Sequence, residues 1–208
     1  MSIKSYSPDE LYAKFRRIHD AAGPKRFFNS PEHKKTQELW CAAQFGRAFL
    51  ANLGPCSLLI SDQDEQTDAD FHLEVAGILH PFQITEVQIP NRRRGDEYRS
   101  ENVKGATLES WDSGTVQGTV WVREAIQKKY DRYGRSVSEL NLLVYVNFPA
   151  YEHDYEELCR VAGDSAKEFA SVWLLNGNGV CCVSGSKTLG GPYPWLFFPQ
   201  SEVADDGL

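Results

Sequence analysis

The stretch that decides the fold runs from Asp70 to Gln88: Asp70-Phe71-His72-Leu73-Glu74-Val75-Ala76-Gly77-Ile78-Leu79-His80-Pro81-Phe82-Gln83-Ile84-Thr85-Glu86-Val87-Gln88. Its β-branched and aromatic content predicts two strands, over 70–75 and 81–89, around a break near Gly77. A turn centred on Ile78 sets Asp70 opposite Glu86. Glu86 and Gln88 share one strand face by the two-residue period, and Thr85 and Val87 take the other. Two carboxylates facing each other repel, and one of them stays protonated unless a cation intervenes. The arrangement therefore favours a hard divalent ion, Mg2+ or Mn2+.

Outward from this hairpin, a further strand is expected at 57–60. Before it stand two helices with start and stop signals. Ser7-Pro8-Asp9-Glu10 opens the first as a capping box with proline at the first helical position, and Ala22-Gly23-Pro24 closes it. Ser30-Pro31 opens the second, and Gly54-Pro55 ends it. Its apolar arc gathers Leu39, Ala42, Ala43, Phe45, Phe49, Leu50 and Leu53, and Glu38 lies inside that arc, where a carboxylate needs a partner. After the hairpin come a polar loop over 90–113, a helix over 114–133, a fully apolar strand over 140–148 and a helix over 155–169. Strands at 171–175 and 180–183 flank Asn176-Gly177-Asn178-Gly179, a hairpin signal. The order reads as an α/β fold in one domain over 1–208: a mixed central sheet flanked by helices, with an N-terminal helical extension over 1–29 and an aromatic C-terminal arm over 186–208.

Composition narrows the function classes. The chain has 208 residues, 41% hydrophobic and 25% charged, a globular balance. No run spans a bilayer and the N-terminus lacks a secretion signal, so a cytoplasmic protein without membrane contact is expected. Five cysteines, an odd number without a Cys-x-x-Cys pair, support neither a disulfide framework nor a zinc site. The net charge of −7 comes from one stretch: residues 48–91 hold seven acids and no Lys or Arg, while 22 acids and 22 bases balance elsewhere. Arg92, Arg93, Arg94 and Arg99 follow directly, so an acidic segment adjoins a basic one suited to backbone phosphates. Asp62, Asp64 and Asp68 lack the glycine and terminal glutamate of an EF-hand, and His80 has no partner at zinc spacing.

Asp70, Glu86 and Gln88, set in this element order, resemble the PD-(D/E)XK phosphodiesterase superfamily, which includes restriction endonucleases and repair nucleases. The resemblance covers roughly Glu38 to Phe148 and implies a restriction-endonuclease-like core in the order α-β-β-β-α-β. It implies a metal-dependent nuclease hydrolysing phosphodiester bonds in DNA, with metal held by Asp70, Glu86 and the Val87 carbonyl. Gln88, at the family's lysine position, would orient the attacking water. Glu38 matches a further carboxylate on the preceding helix. Gln127 and Tyr130 match an accessory pair, and His72, on the face of Asp70, is placed to touch the metal. Glutamine cannot supply the lysine's charge, which leaves a catalytically inactive module of the same fold, binding nucleic acid or a protein partner, as the alternative. Homodimerisation through the aromatic arm is a further expectation.

Overall fold

The computed structural model describes residues 3–61, 69–90, 107–151, 153–177, 179–186 and 188–198. Strand β1 (Ile3–Tyr6) precedes α1 (Pro8–Ala22), α2 (Pro24–Asn29), a single 3-10 turn at Pro31–His33, and α3 (Lys34–Asn52). Strands β2 (Ser57–Ser61), β3 (Phe71–Val75) and β4 (Ile78–Gln88) follow. Then come α4 (Leu108–Tyr133), β5 (Asn141–Asn147), α5 (Tyr155–Lys167), β6 (Ser171–Leu175), β7 (Gly179–Ser184) and β8 (Tyr193–Phe197). The capping box at Ser7 and Glu10 forms as its residues require. Helix α4 begins six residues earlier than its apolar pattern, capped by the Thr107 hydroxyl, which accepts from the Ser110 N–H at 3.2 Å.

Among the described residues, all eight strands join one mixed sheet in chain order, β1 through β8. β1 to β4 pair antiparallel, β4, β5 and β6 pair parallel, and β6 to β8 return to antiparallel. The parallel pairs are those joined through α4 and α5, as a crossover connection demands. The N-terminal extension therefore contributes a strand as well as helices, and the aromatic arm is an edge strand paired with β7.

The sheet is covered on both sides. Phe71, Leu73, Phe82, Leu143 and Trp173 pack with Phe45 and Phe49 of α3 and with Leu11 and Phe15 of α1. On the other face Val87, Leu142, Val144, Val146 and Leu174 pack with Val122 and Ile126 of α4 and with Leu158 and Ala162 of α5. β5 contributes to both layers, which explains its uninterrupted apolar run. Among the described residues no helix is long and apolar enough to cross a membrane.

The β3–β4 turn differs from the expected one. Ala76 and Gly77 are its two central residues, with φ of 52° and 79°, the left-handed pair that the tightest hairpin connections use. Phe71 consequently pairs with Phe82 and Val75 with Ile78, so Asp70 falls opposite Gln83, not Glu86.

Candidate functional site

The site begins where β3 and β4 part. β3 ends its pairing at Phe71, while β4 continues alongside β5 to Gln88. Asp70 stands in the bend at this fork. Its amide donates to the Phe82 carbonyl at 2.8 Å, and its carboxylate oxygen Oδ2 accepts the Ile84 N–H at 2.6 Å. One ladder position beyond the last backbone pair is thus filled by a side chain, a charge-assisted bond that fixes the carboxylate in place.

Three further charged groups lie within electrostatic reach. Glu38, half-buried on α3, has its carboxyl pushed above the usual carboxylate range by burial and then by the neighbouring Asp70, against the opposing influence of Lys34, Lys35 and Lys129. Asp70 is likewise raised by burial, which outweighs the Ile84 amide and the charges of Lys129 and Lys34. Lys129, half-buried on α4, is lowered by burial and supported by Asp70 and Glu38. Its Nζ donates at 3.1 Å to Oε1 of the buried Gln83, which also accepts from the Tyr133 hydroxyl at 3.3 Å. Two carboxylates that both resist ionisation, with a partly desolvated ammonium beside them, make a centre that can hold a shared proton or a shared cation.

Of the residues singled out from sequence, the structure brings Glu38 and Asp70 together. Glu86 is exposed, and its Oε1 accepts from the Asn147 side chain. Gln88 lies two positions further along the same face, and its Oε1 is buried without a hydrogen-bond partner. Val87 is buried under α4 in register with Val146. Since the Phe82 carbonyl and Ile84 amide face β3, strand alternation directs the Val87 carbonyl toward β5, away from Asp70. His72 sits within β3 between Leu59 and Pro81, and burial lowers its pKa. Gln127 bonds Asp131 and Ser165 on the side facing α5, and Tyr130 packs into the core beneath that helix. Arg92, Arg93, Arg94 and Arg99 lie outside the described residues.

Lys129, Lys34, Gln83 and Tyr133 were not anticipated. Lys129 had a readable signal: it continues the stripe of Val122 and Ile126, both buried, so a charge there needs a partner just as Glu38 does. The five cysteines are free thiols. Cys181 and Cys182 point into opposite layers, as strand alternation requires, and burial pushes the Cys182 thiol up to about 12. Among the described residues no group of three or more His, Cys, Asp or Glu is placed to hold a metal.

No family model matches the chain, and no curated protein matches it. A solved structure from Pseudomonas aeruginosa strain PAO1, described as a protein of unknown function of the monooxygenase superfamily, is 16% identical over 86% of each chain with a TM-score of 0.43. The resemblance to the PD-(D/E)XK superfamily is corrected: no model of that superfamily matches the chain, and the hairpin register removes the facing of Asp70 and Glu86 on which it was built. What the family alone implied is withdrawn with it: the restriction-endonuclease-like core, and magnesium and DNA binding as family properties. What stands is a mixed eight-stranded sheet flanked by helices.

Proposed function

We propose that the Glu38, Asp70 and Lys129 cluster is a hydrolytic centre for phosphodiester bonds that works with a bound divalent cation. The observation that carries this reading is the pair of carboxylates, each held above the normal carboxylate range by burial, with Asp70 adding to the rise at Glu38. Such a pair fits a hard cation, because neutralising both charges relieves the repulsion. Two carboxylates suffice when solvent and a substrate phosphate complete the shell. Asp70 and Glu38 would hold the ion, which supplies polarisation of the phosphoryl oxygen and a lowered pKa for bound water.

The chain's own groups have separate tasks. The Ile84 amide holds Asp70 in one orientation. Lys129, anchored on Gln83, brings positive charge to the phosphate from the α4 side, the charge that Gln88 lacks. Gln88, four residues beyond Ile84 on β4, lies too far along the strand to serve this centre.

Hydrolysis of bis(p-nitrophenyl) phosphate with Mn2+ tests the reading. Asp70→Ala is expected to lower kcat/KM by about 10²-fold or more and Lys129→Met by a similar amount. Turnover unchanged in Asp70→Ala, or neither turnover nor calorimetric Mn2+ uptake by the wild-type chain, overturns it. A second reading, a non-catalytic module in which the cluster is a charge-balanced part of the fold, is favoured by the Lys129–Gln83 hydrogen bond; it predicts that last outcome.

A further inference from the structure

A second feature lies at the other end of the charge distribution. Residues 14–35 carry seven Lys or Arg against two acids, Asp20 and Glu32, in a chain whose net charge is −7. α1, α2 and the 3-10 turn before α3 fold part of this segment around an open cavity of about 570 Å3. Lys14, Arg17 and Arg26 supply its cations, and Ile18, Ala21 and Ala22 supply its apolar lining. The cavity is shallow and open to solvent, an apolar wall bordered by a few charges, so a ligand there would be held at the surface.

The charges are unequally committed. Arg26 is neutralised by Glu32, which accepts from its Nη2 at 2.9 Å and its Nε at 3.1 Å. Asp20 is engaged by Arg16 at 3.8 Å and by His19 at 3.1 Å. Lys14 donates to the Tyr6 hydroxyl at 2.9 Å and sits 4.8 Å over the Tyr6 ring, contacts that leave its charge uncompensated. Arg17 is exposed and has no ion pair among the described residues. Two positive charges therefore meet at the cavity without a carboxylate to match them. His33 also lines it. Its Nε2 is buried without a hydrogen bond, since Glu32 Oε1 lies 3.2 Å away but out of alignment.

We propose that this cavity binds a phosphate monoester bearing a small aliphatic group. The dianionic head matches the two uncompensated cations, with Arg17 offering the planar donor fork that suits phosphate oxygens. The aliphatic part covers Ile18, Ala21 and Ala22. The site is separate from the carboxylate cluster and does not depend on its activity.

Calorimetric titration of the full chain with n-hexyl phosphate near pH 8, beside inorganic phosphate and 1-hexanol, tests this. Hexyl phosphate is expected to bind at least about tenfold more tightly than either half. Arg17→Glu, a change at an exposed position, is expected to weaken it by at least about tenfold while the circular-dichroism melt stays put. Ala21→Trp, which fills the cavity, is expected to abolish it. Hexanol binding as tightly as the ester, affinity unchanged in Arg17→Glu, or no binding up to about 10 mM overturns the proposal.

Discussion

Ala76 holds a φ of 52°, a conformation that costs a side-chain-bearing residue roughly 1–2 kcal/mol. Ala76→Gly is therefore expected to stabilise the chain by about 0.5 kcal/mol or more in urea denaturation, the relief exceeding the added flexibility of the unfolded chain. The same residue explains why the observed register differs from the one the sequence suggests. A glycine signals a left-handed turn and an alanine does not, so the sequence favours a turn at Ile78; the observed Ala76-Gly77 turn shifts the partner of Asp70 by three positions, an odd number that also changes the face. Glu38 was legible because a lone carboxylate interrupted an apolar arc, and Lys129 would have been by the same test. The raised pKa values at Asp70 and Glu38 also have a sign. A carboxyl whose folded pKa exceeds its unfolded value contributes stability that is complete below the ordinary carboxylate range and is lost as pH rises through the raised value. Asp70→Asn, which keeps an oxygen for the Ile84 amide, is thus expected to be more stable than the wild type near pH 7. That advantage should shrink as denaturation is repeated at falling pH.

Helix α4 owes its position to two missing side chains. A Cβ at Gly114 would meet the Pro149 carbonyl oxygen at 1.8 Å, and one at Gly118 would meet the Phe148 ring at 2.4 Å. The helix thus lies directly against the end of β5, with Trp121 set edge-on to Phe148 at 5.2 Å. Gly114→Ala is expected to lower stability by about 2 kcal/mol, since rigid backbone must move, and Gly118→Ala by less, since a ring can tilt. A small polar chain ties the neighbouring strands: Trp173 Nε1 donates to Ser171 Oγ at 2.8 Å, Ser171 Oγ donates to Asn141 Oδ1 at 2.6 Å, and Asn141 Nδ2 donates to the Pro81 carbonyl at 2.9 Å. Ser171→Ala would strand both neighbours in the core, at an expected loss of about 2 kcal/mol by chemical denaturation. Elements with chemical punctuation, such as the Ser7 cap and the Asn176–Gly179 turn, were readable. β1 was not, because Ile3–Tyr6 is short and mostly exposed, and its pairing with β2 depends on chain far along the sequence.

For the whole molecule, the aromatic layer under α3 is the principal tie between distant parts. Phe45 lies 4.9 Å from Phe82 and 5.2 Å from Trp173, joining the β3–β4 hairpin to β6 across the sheet. Phe45→Ala is expected to cost about 3–5 kcal/mol, read as a fall in the denaturation midpoint. The same packing steadies α3, on which Glu38 rides, so gentler changes such as Phe45→Leu should disturb the carboxylate cluster before they unfold the protein. The sheet itself has a consequence for synthesis. Because each strand's neighbours are its predecessor and successor in the chain, no later strand has to wedge between two that have already joined. The sheet can lengthen from one growing border as the polypeptide leaves the ribosome, each new strand docking on the last and never reopening what came before.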